Sequence, residues 1–392
     1  MHLHQALSLA ANSLYLSQPN PRVGCVLASV AGEVIGQGYT QQAGGPHAEV
    51  MALLDAAAHG KSVVGATAYV TLEPCSHFGR TPPCCNALID AKIGKVVAAL
   101  ADPNPQVSGR GFAALRAASV EVEVLPIDHP IAIEARELNI GFFSRMVRKT
   151  PWVRMKMAAA LDGKTALNNG ASQWITSEAA RADGHRWRAR ASAVLTGMGT
   201  VLADDPHLDV RLNAQQQGQT YQPHVVIVDS QLRTPPTAKL FLLQAAANNT
   251  TNNIANYLIN TPARAIFIYT NAQNKAKQAA LEAVGATVIV LPDTAASGKV
   301  DLAAMLRDLA VREVNELHVE AGAVLNGALI QAGLVDELLV YLAPKLLGQG
   351  RGMADFGPLT DLADALTLDF TSIEKIGPDV RLLARVTGRS SF

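Results

Sequence analysis

A short series of residues constrains the fold of this chain more than any other feature: His47-Ala48-Glu49, then Glu73-Pro74-Cys75, then Cys84. One imidazole and two thiolates form the donor set of a catalytic zinc site, where three protein ligands leave one position for water. Glu49 is not needed as a ligand, so it is free to move protons, as the glutamate of His-x-Glu does in zinc deaminases. Segments that are far apart in the chain must therefore converge on one metal ion.

Each of these segments lies at the end of a predicted element. The apolar run Ala48–Ala58 has helical spacing and follows a Gly-Gly-Pro break, so we place His47 in the first turn of a helix. The segment Thr67–Leu72 alternates like a strand and delivers Cys75 just beyond its end. Two prolines before Cys84 are typical of a helix start. The pattern predicts that two helix starts and one strand end meet at the metal.

The spacing leaves the choice of metal ligands partly open. The common deaminase signature has two residues between its cysteines, whereas here the insert Ser76–Pro83 precedes Cys84. Cys85 is an adjacent alternative ligand, and ordinary buried thiols beside a core histidine are the interpretation without a metal. Cys25 stands in an apolar segment and is predicted to be core.

The totals of the chain limit the class of protein to which it can belong. Its 392 residues exceed the roughly 250–300 at which a single core stops growing, so we expect two domains. Lys plus Arg and Asp plus Glu both number 33, and this zero net charge argues against nucleic acid as a partner. The four cysteines do not suggest a disulfide framework. Without a signal peptide or a membrane-length apolar run, the sequence indicates a soluble, cytoplasmic protein with no membrane partner.

Strands alternate with helices along the first part of the chain, which predicts a layered α/β domain. The predicted strands are Val23–Ser29, Glu33–Tyr39, Thr67–Leu72, Lys95–Leu100 and Val120–Leu125. The predicted helices are an opening helix through Leu14, the Ala48–Ala58 helix, one that starts near Cys84 and one near Gly111–Ala118. A connecting helix and linker over Ile127–Lys149 ends in the basic cluster Arg145, Arg148 and Lys149. We interpret this cluster as a solvated face.

A second α/β domain is predicted from Pro151 onward, with a sheet of its own. Its predicted strands are Trp152–Met157, Ala193–Thr196, His224–Val228, Ala265–Tyr269, Thr287–Leu291, Leu317–Glu320, Leu366–Ile373 and Val380–Val386. Its predicted helices are a polar one that contains Arg188, then Ala276–Val284 and Leu302–Val311. The polar insert Ala247–Asn253 is expected to be a mobile loop. We place the domain boundary between residues 147 and 148.

Polar or glycine-rich turns follow several of these strands, at the strand ends where α/β folds place ligands. Thr196–Thr200 precedes Leu202–Pro206, and Glu320–Gly322 precedes a helix predicted to begin near Leu325. Backbone N–H groups at such a helix start could hold a phosphate, with simple tight turns as the alternative. Asp102-Pro-Asn-Pro105 also follows a strand, and it is either part of a ligand site or a simple turn.

The motifs in combination resemble one family over nearly the whole chain. The segments Gln18-Pro-Asn-Pro-Arg-Val-Gly-Cys25 and Cys75-Ser-His-Phe-Gly-Arg-Thr-Pro-Pro-Cys84, with His-Ala-Glu, resemble the bifunctional riboflavin biosynthesis family, in which a pyrimidine deaminase is fused to a reductase. Four later segments resemble the reductase half: Ala158–Gly163, Ser172–Thr176, Thr196–Thr200 and Val319–Gly322. The resemblance implies a cytidine-deaminase-like α/β/α domain over residues 1–147 and a dihydrofolate-reductase-like α/β domain over residues 148–392.

The same resemblance implies a reaction sequence and the residues that serve it. A diaminohydroxyphosphoribosylaminopyrimidine would be deaminated with Zn²⁺, and the ribosyl chain of the product would then be reduced to ribityl with NADPH. Contacts to the pyrimidine or its ribose phosphate are implied for Asn20, His77 and Arg80. Contacts to NADPH are implied for Ala158, Trp174, Thr200, Asp204, Ser230 and Gly322. Contacts to the sugar-phosphate substrate of the reductase are implied for Lys156, Ser172, Arg188, Leu208, Arg211 and Glu320.

Some of these roles have plain structural alternatives. The guanidinium groups of Arg188 and Arg211 match phosphate geometry, but either could be a surface arginine, and Trp174 could equally be core. Two other functions also remain open at this point. One is a nucleoside or nucleic-acid deaminase with a non-catalytic second domain. The other is a binding or regulatory protein in which Cys85 completes a closed, structural zinc site. The oligomeric state is open, a homo-oligomer included.

Overall fold

The computed structural model describes residues 1–212, 222–242, 264–294 and 297–392. The predicted insert Ala247–Asn253 lies outside the described residues. The chain divides into two compact units, Met1–Lys149 together with Phe392, and Thr150–Ser391. The boundary between two independent domains that we place between residues 147 and 148 stays a prediction. No helix in the described ranges is long and apolar enough to cross a membrane.

The first unit is a single mixed sheet with helices packed against it. Its strands are β1 (Gly24–Ala28), β2 (Val34–Tyr39), β3 (Thr67–Val70), β4 (Lys95–Ala98) and β5 (Glu121–Val124). Its helices are α1 (His2–Ala10), α2 (Ala48–Ala58), α3 (Cys84–Asp90), α4 (Arg110–Ala117), α5 (Pro130–Leu138) and α6 (Ile140–Arg148). The strand order is β2-β1-β3-β4-β5, with β1 antiparallel to both neighbours and β3, β4 and β5 parallel. The carboxyl ends of β3, β4 and β5 therefore share one edge with the start of β1.

Glycines let two helices lie unusually close to this sheet. A Cβ added at Gly24 of β1 would lie 1.8 Å from the carbonyl oxygen of Ala6 in α1. A Cβ added at Gly38 of β2 would lie 2.6 Å from the carbonyl oxygen of Ala48 in α2. Protein interiors are close-packed, so contacts this short leave no room for a side chain. The glycines therefore set how deeply α2, the helix that follows His47, sits on the sheet.

The second unit is built on a larger, mainly parallel sheet. Its described strands are β6 (Trp152–Ala160), β7 (Lys164–Leu167), β8 (Ala193–Gly197), β9 (His224–Val228), β10 (Ile266–Thr270), β11 (Ala286–Val290), β12 (Glu316–Val319), β13 (Glu337–Ala343), β14 (Gly350–Gly352), β15 (Leu368–Ile376) and β16 (Asp379–Val386). Its described helices are α7 (Glu178–Arg190), α8 (Met198–Asp204), α9 (Lys275–Glu282), α10 (Leu302–Val311) and α11 (Ala323–Gln331). Among the described residues, the large sheet has the order β11-β10-β9-β8-β12-β6-β13-β16-β15, and β7 pairs separately with β14. All neighbours from β11 to β13 are parallel, while β16 and β15 are antiparallel additions.

The two faces of this large sheet differ in chemistry. One face belongs to an apolar core that includes Val153, Met155, Leu317, Val319 and Val340. On the other face, Arg154 is buried and donates to Glu316 Oε2 at 2.7 Å and to Glu337 Oε2 at 2.5 Å. The guanidinium carbon of Arg154 also lies 4.6 Å from the ring centroid of Trp187 in α7. The polar helix α7 is therefore held on the sheet by this charged layer together with a small apolar cluster, in which Ala180 and Trp187 of α7 pack with Leu339 and Tyr341 of the sheet.

One central strand of the large sheet, β13, was not predicted. The strand β13 pairs with both β6 and β16, and its residues are buried on both faces. A strand covered on both faces is apolar without alternation, so periodicity does not mark it. The short strands β7 and β14 were not predicted either.

Two expectations about helices in the first unit were also wrong. The opening helix ends at Ala10 and continues as a 3₁₀ turn through Ser13 rather than as α-helix to Leu14. The basic cluster at the end of α6 is not simply a solvated face. The Arg148 guanidinium carbon lies 4.5 Å from the ring centroid of Phe392, and the Lys149 ammonium donates to the Met146 carbonyl at 2.8 Å.

Candidate functional site

Three side chains of the first unit come together as a group that could hold a metal ion. The ligand atoms of His47, Cys75 and Cys84 all lie within 4.8 Å of one another. The Nδ1 atom of His47 lies 3.6 Å from Cys75 Sγ and 3.3 Å from Cys84 Sγ, while its Nε2 atom lies 3.4 Å from Thr81 Oγ1. Nδ1 is therefore the nitrogen that faces the metal position. One imidazole and two thiols at this spacing fit zinc with one position left open.

The local structure places these ligands as the motif predicts, with one difference. Cys84 is the first residue of α3, and its backbone N–H lies 3.3 Å from Cys75 Sγ, as a donor to that sulfur. His47 is the N-cap residue of α2, with extended backbone angles, and not part of the first turn as we expected. A side chain at the N-cap lies just before the helix, where it can face a ligand off the helix end. The adjacent residue Cys85 packs in the apolar core, and its Sγ lies 3.5 Å from Asn86 Oδ1.

Electrostatics favour one thiolate in this group even before metal is considered. The pKa of Cys75 is lowered to about 4, first by a hydrogen bond from the Cys84 thiol and also by hydrogen bonds from His47 and the Cys84 backbone. The pKa of Cys84 is raised correspondingly, because it donates to that thiolate and is buried. The pKa of His47 is raised by its hydrogen bond with Cys75, despite the opposing effect of burial.

Glu49 is placed to exchange protons beside these ligands. It lies in the first turn of α2, is 3% exposed, and shares a side-chain hydrogen bond with Cys84. Burial raises the pKa of Glu49 to about 7, and the neighbouring Cys75 thiolate contributes in the same direction. A carboxyl group with a pKa near neutrality can both accept and donate a proton under ordinary conditions.

A larger residue at Gly38, where α2 packs closely on the sheet, tests whether the distance between α2 and the sheet positions this site. We expect Gly38→Val to destabilise the first unit by roughly 1–3 kcal/mol, as overpacked cores do, and to lower zinc content by moving His47. Gln37→Val is the matched control, because Gln37 is an exposed position of the same strand and points to the opposite face. Thermal unfolding and bound zinc are the measurements. Normal zinc content in Gly38→Val would show that the depth of α2 is not critical.

Glu73 is a buried acid with a structural role that was not predicted. Its carboxylate accepts four backbone N–H groups, from Asp102 at 3.2 Å, Gly109 at 2.9 Å, Gly111 at 2.9 Å and Phe112 at 3.3 Å. These bonds cap the N-terminus of α4 and tie the Asp102–Pro105 turn to the segment that carries Cys75. The available signal was an acidic residue directly before Pro-Cys, at the end of a strand.

The Asp102 side chain lies in the same surroundings. Burial raises the pKa of Asp102 to about 7, with smaller contributions from Glu73 and Cys75. Its Oδ1 atom accepts the Asn104 N–H at 2.7 Å, so the segment is a turn as well as a neighbour of the metal group.

The residues expected to contact the pyrimidine lie at the same sheet edge. Asn20 lies in the turn before β1, where its N–H donates to the Ser17 carbonyl at 2.8 Å. Because β1 is antiparallel to β3, this turn lies at the edge where β3 leads to Cys75. His77 and Arg80 lie in the loop between the two cysteines; Arg80 is exposed, and the Nδ1 atom of His77 is buried with no hydrogen-bond partner among the described residues. Their contacts with substrate stay predictions.

In the second unit, the residues expected to hold NADPH lie mostly along the carboxyl edge of the parallel strands. Thr200 is in α8, directly after β8, and Gly322 is the N-cap of α11, directly after β12. A Cβ added at Gly322 would lie 4.0 Å from Thr200 Oγ1, so these two helix starts are neighbours. Thr196 Oγ1 donates to the Glu320 carbonyl at 2.8 Å, which joins the two connections. Paired helix N-termini of this kind offer backbone N–H groups to phosphates, so the edge fits a dinucleotide.

The other predicted cofactor contacts differ in exposure. Ser230 follows β9 at the same edge, and Ala158 is a half-buried residue of β6. Asp204 is exposed at the end of α8. Trp174 is 63% exposed, so the alternative that it is core is wrong.

A partly buried ion pair between Arg188 and Glu320 lies at the centre of the predicted reductase site. Arg188 donates from Nε to Glu320 Oε1 at 2.7 Å, from Nη2 to Glu320 Oε2 at 2.8 Å, and from Nη1 to the Asp209 carbonyl at 2.5 Å. Burial alone would raise the pKa of Glu320, but Arg188 and Lys156 outweigh it and hold this pKa well below its usual range. Burial lowers the pKa of Lys156, although Glu320 opposes that effect. Within the described ranges, Lys156 Nζ donates no hydrogen bond.

The geometry revises the physical argument for the two arginines. Arg188 directs three nitrogens to Glu320 and Asp209, so in this arrangement it orients Glu320 rather than presenting an open fork to phosphate. Arg211 is exposed, and its Nη1 lies 3.1 Å from Asp209 Oδ1.

Leu208 and Ser172, two further predicted contacts to the reductase substrate, differ in exposure. The Leu208 side chain is buried in an apolar cluster, so only its backbone is available for contacts. Ser172 is exposed in the loop before α7.

We expect Arg188→Lys to slow reduction of the deaminated substrate by about 10- to 100-fold, because lysine cannot reproduce the bidentate bond and a hydrogen bond to a charged group is worth roughly 1.5–3 kcal/mol. Deamination should keep its rate. Arg186→Lys, on the exposed side of the same helix, is the matched control. NADPH oxidation with pre-deaminated substrate is the assay. An unchanged rate in Arg188→Lys would show that the bidentate ion pair is not needed for reduction.

Family models match both parts of the chain. Residues 1–100 match the cytidine and deoxycytidylate deaminase zinc-binding region, and residues 151–382 match the RibD C-terminal domain. These matches confirm the predicted fold class. They also do not favour the alternative of a deaminase with a non-catalytic second domain.

Full-length relatives and solved structures agree with the family models. The riboflavin biosynthesis protein RibD of Escherichia coli is 42% identical over 391 residues, which cover 97% of each chain, and that of Aquifex aeolicus is 38% identical over 379 residues, covering 97% of this chain and 96% of its own. The structure of Acinetobacter baumannii RibD superposes with a TM-score of 0.83 at 38% identity and covers 98% of both chains. A Thermotoga maritima deaminase/reductase gives 0.79 at 28% identity, over 98% of this chain and 97% of its own. The chain belongs to the RibD family of bifunctional riboflavin biosynthesis enzymes, with a zinc-dependent deaminase domain followed by an NADPH-dependent reductase domain.

Proposed function

We propose that this protein deaminates diaminohydroxyphosphoribosylaminopyrimidine and then reduces the ribosyl chain of the resulting aminouracil to a ribityl chain. The Thermotoga maritima protein is named for these two activities. The observation that supports the deaminase step most directly is the group of His47, Cys75 and Cys84 with Glu49 buried beside it. The charged group formed by Lys156, Arg188 and Glu320 supports the reductase step.

The deaminase step follows from the positions of four side chains. His47, Cys75 and Cys84 would hold zinc, which when bound would supply a water molecule activated for attack on the amine-bearing ring carbon. Glu49 accepts a proton from that water on its carboxylate and delivers a proton to the leaving amine. Water enters, ammonia leaves, and the carbon–nitrogen bond is replaced by a carbon–oxygen bond. Burial of Glu49 keeps its pKa close to the value this two-way transfer requires.

The reductase step requires orientation more than acid–base chemistry from the protein. NADPH, when bound along the helix starts of α8 and α11, would supply the hydride. Arg188 keeps Glu320 ionised and fixed, so Glu320 can accept hydrogen bonds from the sugar hydroxyl groups. Lys156 Nζ can donate to the substrate, since it donates to no other described residue. Ser172, Leu208 and Arg211 complete the proposed substrate contacts.

The other contacts belong to the same proposal. Asn20, His77 and Arg80 would bind the pyrimidine or its ribose phosphate, and Ala158, Trp174, Thr200, Asp204, Ser230 and Gly322 would bind NADPH. We place the protein in the cytoplasm, where its free cysteines would stay reduced. Its partner is a small phosphorylated molecule rather than nucleic acid, in keeping with its zero net charge.

The order of the two reactions provides the test. The zinc-loaded protein is given the phosphoribosylaminopyrimidine, and ammonia release and NADPH oxidation are followed together. We expect ammonia release without NADPH, and NADPH oxidation only after ammonia has been released. Cytidine serves as the competing substrate. Deamination of cytidine at a comparable rate, with no NADPH oxidation, would favour the nucleoside deaminase instead.

A further inference from the structure

The loop that carries Trp174 in the second unit is held by hydrogen bonds to its main chain at four consecutive residues, 174–177. The Lys345 ammonium donates to the Trp174 carbonyl at 3.1 Å and to the Ile175 carbonyl at 2.8 Å. Arg181 Nη1 donates to the Thr176 carbonyl at 2.8 Å, and the Ser177 N–H donates to Asp379 Oδ2 at 2.7 Å. Three side chains from different elements therefore fix the path of this loop.

The side chain that this loop presents is not held in the same way. The Trp174 indole is 63% exposed, although the Arg181 guanidinium carbon lies 4.4 Å from its ring centroid. An indole left in water contributes little burial energy to the fold. A fixed main chain beneath an exposed, flat ring instead suits a preorganised contact for a ligand, because less conformational freedom is lost on binding.

Lys345 is itself anchored to the end of β6. The Leu161 N–H donates to the Lys345 carbonyl at 2.9 Å, and Asp162 Oδ2 accepts the N–H groups of Leu347 at 2.9 Å and Gly348 at 2.7 Å. The turn after β6 thus holds the loop after β13, which in turn holds the tryptophan loop through one ammonium group. These contacts fix the position of the Trp174 loop relative to the central strands of the sheet.

We propose that Lys345 is a positioning residue for NADPH binding: it fixes the Trp174 loop so that the indole meets the cofactor in a preset orientation. The inference rests on the proposed function, in which Trp174 contacts NADPH. Lys345 does not need to touch the cofactor or the reacting atoms. Its effect should therefore fall on the affinity for NADPH and not on turnover once the cofactor is bound.

The test uses the full chain with Lys345→Met, Lys345→Arg and a control, Lys275→Met. Lys275 is an exposed lysine at the start of α9, and its ammonium group makes no hydrogen bond to any described residue. We expect Lys345→Met to raise the Kd and KM for NADPH by about tenfold, since two charge-assisted bonds are lost at a solvent-exposed site. The kcat at saturating NADPH should stay near the unmodified value. Lys345→Arg should bind NADPH more tightly than Lys345→Met, and Lys275→Met should match the unmodified protein.

Two further measurements connect the effect to Trp174. Trp152 is fully buried and Trp187 is half-buried, so acrylamide quenching of tryptophan fluorescence reports mainly on Trp174 and should change in Lys345→Met. In a Trp174→Phe background, Lys345→Met should change the Kd for NADPH much less, which is the signature of two residues acting through each other.

Several results would overturn the proposal. These are an unchanged Kd and unchanged quenching in Lys345→Met, an equal effect in the Trp174→Phe background, no advantage of arginine over methionine, or a loss of kcat in step with affinity, which would indicate a general structural role. Failure of the unmodified protein to bind NADPH is a different result. It would refute the proposed function on which this inference rests.

Discussion

Glu49→Gln is expected to slow deamination by about 10⁴-fold or more while zinc stays bound. Glutamine keeps the size and hydrogen bonding of the side chain but cannot carry a proton near neutral pH. A general acid–base group is typically worth about 10²–10⁴-fold in rate, and Glu49 would serve in more than one proton transfer, so the loss should reach the top of that range. The measurement is ammonia release by a zinc-replete preparation.

The reductase rate on pre-deaminated substrate is the internal control for Glu49→Gln. That reaction uses residues of the second unit, so its rate should match the unmodified protein. Deamination at the normal rate would remove Glu49 from the mechanism. Parallel loss of both activities would mean that the two sites are coupled, and the separate roles assigned to the two units would fail.

Cys84→Ser is expected to abolish deamination by removing the metal. Loss of residues that only support a ligand costs roughly 10–100-fold in metal affinity, so loss of a thiolate ligand should cost at least about 100-fold. Metal analysis after dialysis and the deamination rate are the measurements. The reason is geometric, because Cys84 Sγ, Cys75 Sγ and the ligand nitrogen of His47 lie within 4.8 Å of one another.

The neighbouring cysteine provides the matched control. Cys85 has its side chain in the apolar core, so Cys85→Ser should keep zinc and most of the deaminase activity, with some loss of stability. Equal loss of zinc in Cys85→Ser and Cys84→Ser would show that the wrong cysteine was chosen. It would also revive the closed, four-ligand site of a structural zinc protein.

Local signals were sufficient for most of the metal centre. The Gly-Gly-Pro break, the Pro-Pro pair before Cys84 and the strand before Cys75 each mark an element end, and the structure brings those ends together. The one local error, His47 as N-cap rather than first-turn residue, reflects a difference of one position at a helix end. Sequence patterns do not resolve element boundaries that finely.

Features that depend on distant pairing could not be predicted in the same way. Arg188 and Glu320 are far apart in sequence, and only the fold shows that Arg188 is committed to Glu320. Glu73 looked like part of a motif, but its four N–H partners come from a turn and a helix start well beyond it. The strand β13 lacked alternation because both of its faces are buried.

The exposure of Trp174 is another property that the residue type conceals. A tryptophan in a sequence is compatible with core or with a binding surface. The distinction follows from the loop that carries it, whose main chain is fixed by Lys345, Arg181 and Asp379.

Measuring product masses tests the central claim, two successive reactions by one chain, most directly. The zinc-loaded protein is incubated with the phosphoribosylaminopyrimidine, with and without NADPH. We predict that without NADPH the only product has one amino group replaced by oxygen, and that with NADPH the product has also gained two hydrogens. Reduction of the substrate without deamination, or deamination with no reduced product when NADPH is present, would contradict the account.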